Sequence, residues 1–199
     1  VVDPAWDVDS LLQFLDQSEL RLVGVLVTHY HPDHVGGEIF GHHIEGLSKL
    51  LSERPVKVHV NANEAEGLRL ITGLSTSDLV THQGGDEVKV GGLSVKLVHT
   101  PGHTPGSQCF LVNSHLVSGD TLFIGGCGRV DLPGGDAEQL YYSLTRVLAG
   151  LPDSTVVLPG HNYAPKRRST LGEEKATNYA LRMRSLDDWL ALMNRARGF

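Results

Sequence analysis

Short apolar runs rich in Val and Leu recur at residues 22–27, 56–60, 88–90, 93–98, 109–112, 116–117 and 155–158. Each is of strand length and is bounded by polar or turn-forming residues. Between them, residues 9–16, 44–52, 62–71, 137–149 and 177–194 place apolar side chains at helical spacing, with Asp9, Asn61 and Asp136 positioned as caps. Strands interleaved with helices in this order predict an α/β layered domain. Residues 86–98 read as a β-hairpin, because two alternating runs flank Gly91 and Gly92, which supply the positive φ of a tight turn. Residues 68–83, weakly periodic and carrying several Thr and Ser, read as a helix end and a surface loop.

The chemically interesting polar residues follow the apolar runs, in segments 28–37, 99–106, 119–128 and 159–163. Loops beyond strand ends are where ligand groups converge in open α/β sheets. Thr28-His29-Tyr30-His31-Pro32-Asp33-His34 packs three imidazoles and a carboxylate into six residues. Pro32, Gly36 and Gly37 suit a tight loop bending around an ion. His103 lies between two prolines and two glycines in residues 100–106, Asp120 follows the run at 116–117, and His161 follows the run at 155–158. Imidazole nitrogen and carboxylate oxygen suit Zn2+, and they suit Fe2+ and Mn2+ as well.

Composition narrows the partner. The 199 residues, 40% of them hydrophobic and undivided by a linker, predict one compact domain over residues 1–199. A formal net charge of -6 offers no long-range attraction to nucleic acid or to an anionic membrane, which leaves a small molecule. No apolar run approaches the roughly 20 residues that cross a bilayer. Cys109 and Cys127 are the only cysteines, too few for a disulfide framework, so the reducing cytoplasm is the expected location. Five of the 11 histidines fall in the motifs. Of the others, His42 and His43 read as helix surface, and His59, His82, His99 and His115 as structural residues. Cys127 reads as packing rather than a nucleophile.

HxHxDH followed by a separate His, a separate Asp and a final His resembles the metallo-β-lactamase superfamily, over residues 29–161. The resemblance implies an αββα sandwich, two facing β-sheets flanked by helices. It assigns His29, His31 and His103 to one divalent ion, Asp33, His34 and His161 to another, and Asp120 to both. Such a pair of ions, with Zn2+ the first choice, lowers the pKa of a shared water toward neutrality, so that hydroxide attacks a substrate carbonyl. Asp33 and Asp120 are then the catalytic carboxylates, Asp33 orienting the nucleophile through its second oxygen. Thr28 and Thr121 are either hydrogen-bond partners of the ligands or simple strand-end threonines.

Residues 118–129, 130–136 and 169–178 resemble the glyoxalase II group, the hydroxyacylglutathione hydrolases, and their relatives the persulfide dioxygenases. The favoured reading is hydrolysis of a thioester such as an acyl-glutathione. The alternative is a dioxygenase acting on glutathione persulfide, in which residues matching His29, His103 and Asp120 hold a single iron. An intact ligand set speaks against a non-catalytic scaffold. Arg129 is the candidate cation for an anionic substrate and Tyr163 the candidate hydrogen-bond donor, with a half-buried structural role equally open to Tyr163. Lys166, Arg167 and Arg168 read first as a solvated basic loop.

Two departures bear on the substrate. Some twenty residues follow Asn178, where classical glyoxalase II carries a larger helical domain. Val1-Val2-Asp3-Pro4 resembles the strand and turn that follow the fold's opening β-strands, which are missing from the sequence. Either the sequence is truncated there or a partner covers that edge, an open sheet edge favouring association, as in a homodimer.

Overall fold

A computed structural model describes residues 1–196. Its contacts gather into two compact units, residues 1–82 and the chain from Gln83 onward.

The first unit comprises α1 (Val8–Gln17), β1 (Val25–Leu26), α2 (Pro32–Val35), β2 (Gly37–Ile39), β3 (His42–Ile44), α3 (Leu47–Glu53), β4 (Val58–Asn61), α4 (Ala65–Thr72) and β5 (Leu79–His82). Strands β1, β4 and β5 form a parallel sheet in that order, with Val25 opposite Val58 and His59 opposite Val80. Val25, Val27, Val58 and Val60 are fully buried against Val8 and Leu12 of α1, Leu47 and Leu50 of α3, and Leu68 of α4. The apolar run at 25–27, through β1, is buried throughout, whereas in β4 Val58 and Val60 are buried and His59 between them is half-buried.

Several expected details differ. Asp7, not Asp9, caps α1, accepting from the Ser10 amide at 2.9 Å, while Asp9 lies in the first turn. Asn61 ends β4 and folds its side chain onto the Asn63 amide, and α4 starts later without a side-chain cap. His42 and His43 lie on β3 and not on a helix, because Phe40 (φ 50°) and Gly41 (φ 79°) close a two-residue hairpin turn. The stretch read as a surface loop contains β5, whose hydrogen bonds come from β4, a partner local pattern does not reveal.

The second unit comprises β6 (Glu87–Val90), β7 (Leu93–His99), β8 (Gln108–Val112), β9 (His115–Gly119), β10 (Leu122–Phe123), β11 (Gly126–Cys127), α5 (Ala137–Tyr142), β12 (Val156–Pro159), β13 (Ser169–Thr170), α6 (Leu171–Thr177) and α7 (Leu186–Ala196). Its six-stranded sheet runs β13-β12-β9-β8-β7-β6, antiparallel except for the β12–β9 pair. The β6–β7 hairpin forms as expected, with Gly91 at φ 57°. Asp136 caps α5 as expected, and α5 continues as a π-helical stretch, Ser143–Leu148. Leu140, Leu144 and Leu148 pack with Leu116, Leu122, Val157 and the fully buried Trp189 of α7. The expected helix at 177–194 begins only at Leu186, since Asn178 terminates α6. Among the described residues no helix is long and apolar enough to cross a membrane.

Candidate metal centre

Within the first unit the chain leaves β1 through Thr28 and turns into α2, with His31 as N-cap and Pro32 opening the helix. Gly36 ends α2 at φ 86°, and a Cβ there would come within 2.7 Å of the Gly46 backbone, so the turn admits only glycine. The loop brings together His29, His31, Asp33 and His34. The His29 ring centroid lies 4.7 Å from that of His31 and 4.2 Å from that of His34, and His34 Nε2 lies 3.7 Å from Asp33 Oδ2. Two residues that sequence reasoning passed over hold the loop. The fully buried Glu64 accepts the Tyr30 amide at 2.8 Å. Asp3 accepts the Thr28 amide at 2.8 Å and the Thr28 hydroxyl at 2.6 Å, and its Oδ2 meets His34 Nδ1 at 3.0 Å.

These contacts fix protons. A carboxylate only accepts, so His34 donates from Nδ1. The Thr28 hydroxyl gives its one proton to Asp3, so at 3.0 Å its oxygen accepts from His29 Nδ1. Both neutral imidazoles therefore present an Nε2 lone pair, the tautomer a metal ligand needs. Asp3, His29 and His34 also fall within ligand distance of one another. Because Asp3 engages the Nδ1 side, its contacts there are the hydrogen bonds that orient the imidazoles. Thr28 thus takes the hydrogen-bonding role offered for it. Thr121 instead bonds Thr100 Oγ1 at 2.8 Å.

Within the second unit, parallel β9 and β12 end side by side, with Pro159 opposite Gly119 and the Gly160 amide on the Gly119 carbonyl at 2.9 Å. This sets Asp120 and His161 at neighbouring strand ends, and Asp120 Oδ2 lies 3.3 Å from His161 Nε2 and 3.7 Å from His103 Nε2. His103, buried in the β7–β8 loop, points Nδ1 at the Arg129 carbonyl at 2.7 Å, which only accepts. Its neutral form consequently turns an Nε2 lone pair toward a carboxylate, a juxtaposition of two acceptors that a cation relieves. Donor atoms about 2.0–2.1 Å from one tetrahedral ion are separated by roughly 3.3 Å, so this donor set fits a metal. Gly128 makes room for the loop, since a Cβ there would lie 1.9 Å from the Asp120 carbonyl oxygen.

The other candidates fall as follows. Arg129 contributes its carbonyl to His103, while Asp131 grips its guanidinium at two points, both 2.6 Å. Tyr163, largely exposed, stacks on His161 with centroids 5.1 Å apart and meets Phe123 edge-on. Glu174 and Asn178, inside the segment that resembles glyoxalase II, clamp the β10–β11 hairpin: Glu174 accepts the Gly125 amide at 2.8 Å, and Asn178 Nδ2 reaches the Phe123 and Gly126 carbonyls. Burial pushes the Cys127 thiol up to about 11, which suits the packing role expected of it. His59 Nδ1 and His82 Nε2 lie 2.9 Å apart, giving each other the partner the sequence did not reveal.

The metallo-β-lactamase superfamily profile matches residues 1–161. The chain belongs to the metallo-β-lactamase superfamily. It is 39% identical over 181 residues to the hydroxyacylglutathione hydrolase of Shewanella halifaxensis, a match covering 91% of this chain and 63% of that protein. ETHE1 of Myxococcus xanthus superposes with a TM-score of 0.82 at 34% identity, covering 98% of this chain and 79% of that one. TTHA1623, solved in a di-iron-bound form, gives a TM-score of 0.71 at 32% identity, covering 89% and 87%. The αββα fold expected from the motifs is thereby established.

Proposed function

We propose that the two donor groups serve one dinuclear centre within a single metallo-β-lactamase domain spanning both units, and that the protein hydrolyses a small-molecule thioester. The observation that carries this reading is the set of hydrogen bonds fixing His29, His34 and His103 as Nε2 donors. Likeness to a hydroxyacylglutathione hydrolase supports the thioester, and the di-iron-bound relative supports two metals. His29, His31 and His103 would hold one ion, Asp33, His34 and His161 the other, and Asp120 both. Two divalent ions bound there, with Zn2+ the first choice and Fe2+ or Mn2+ competent, would supply a nucleophile at neutral pH and polarise a carbonyl.

The chain's own groups do the rest. The Trp6 indole donates to the Asp33 carbonyl at 3.0 Å and steadies the residue whose carboxylate orients the attacking water. Asp3 and Thr28 hold two imidazoles in register. Tyr163, stacked beside His161, offers its hydroxyl to the departing sulfur. A C–O bond forms as the C–S bond breaks, and one water and one thioester become a carboxylic acid and a thiol. Two cysteines outside any disulfide suit a reducing cytoplasm.

Thiol release from an S-acyl glutathione, followed with a chromogenic disulfide, tests the reading, and His103→Ala should abolish it. The likeness to ETHE1 supports a second reading, an iron persulfide dioxygenase. Oxygen consumption on glutathione persulfide without thiol release from any thioester would establish that one instead.

A further inference from the structure

Four cations follow the ligand motifs in sequence, Arg129, Lys166, Arg167 and Arg168. Two are engaged: Asp131 occupies the Arg129 guanidinium, and Lys166 reaches Glu173 at 3.5 Å. Arg167 and Arg168 are exposed and, among the described residues, pair with no carboxylate. They lie on the loop that carries His161 and Tyr163. Antiparallel pairing sets Val157 opposite Ser169, so Arg168 leaves the sheet at the level of Leu158, three residues from His161. Three strand residues span about 10 Å, within reach of a substrate bound at His161.

We propose that Arg167 and Arg168 bind a phosphate on the thiol half of the substrate, making a phosphorylated thiol such as coenzyme A the preferred leaving group. This rests on the thioesterase reading. Two guanidinium forks match a group with several acceptor oxygens and more than one negative charge, whereas a lone carboxylate fills a single fork. In a chain of net charge -6, two exposed guanidinium groups on this loop supply local positive charge for an anionic substrate.

The test is calorimetric titration of coenzyme A into the metal-loaded protein and its Arg167→Ala/Arg168→Ala variant. It is paired with the kcat/KM ratio for an S-acyl coenzyme A over the matching S-acyl pantetheine, which lacks phosphate. The expected results are coenzyme A binding weakened about tenfold or more in the double variant, a similar fall in the kcat/KM ratio, and only partial rescue by Arg167→Lys/Arg168→Lys, which restores charge without the fork. Equal affinity in the two proteins, no binding by the unaltered protein, or a larger loss on S-acyl glutathione overturns the proposal. Arginine-dependent coenzyme A binding without thiol release from any thioester would instead sink the hydrolase reading and the leaving-group claim with it, leaving only the assignment of Arg167 and Arg168 to a phosphate.

Discussion

His29, His34 and His103 each spend Nδ1 on a group that can only accept or has no proton left to give, and this turns three ordinary imidazoles into preset Nε2 donors. Asp3 controls two of them. Asp3→Ala should therefore lower metal affinity by about 10–100-fold while the fold persists, measured by competition with a chromogenic chelator; unchanged affinity would remove Asp3 from the site. The proposed ligands stood out because four of them crowd into six residues and the rest sit in Gly- and Pro-marked loops. Asp3 and Glu64 were not, because they act across 25 and 34 residues of sequence. Arg129 was noticed for its guanidinium, whereas its carbonyl touches His103, and a backbone group carries no label in a sequence.

His59 gives a pH dependence at the same scale. Burial first, and then the neighbouring His82, hold its pKa below the ordinary value of 6.5. A lowered histidine pKa means that the unfolded chain takes up the proton first. Stability is therefore complete above the unfolded pKa and declines as pH falls below it. Urea midpoints should drop between about pH 7.5 and 5.5, and His59→Gln should flatten that drop. An identical slope in the variant would contradict the assignment.

At the scale of elements, strands with a continuous or alternating apolar run were readable, and short ones without such a run were not. The runs at 56–60, 93–98 and 109–112 carry enough alternating or continuous apolar residues to declare themselves. By contrast, β10, β11 and β13 have two residues each and exist through their partners. The turn between β2 and β3 escaped notice because Phe40 occupies a left-handed position that usually calls for Gly or Asn. Trp189 anchors helix α7 alongside the buried Met193: it is fully buried and donates to the Ala137 carbonyl at 2.6 Å. Trp189→Ala should cost about 3–5 kcal/mol, read from urea unfolding, and a loss under 1 kcal/mol would mean that α7 is dispensable to this core.

For the whole molecule, superfamily membership was legible because ligand order along the chain is itself a signature, and the match runs through both compact units. Substrate choice was less so, since the proposed phosphate recognition turns on which cations remain available once Asp131 and Glu173 have taken theirs. The most direct measurement is metal content per chain, by elemental mass spectrometry on protein purified without added metal. A dinuclear thioesterase predicts about two equivalents of divalent metal, falling in step with activity in His103→Ala. A single equivalent of iron, or full thiol release from metal-free protein, would contradict it.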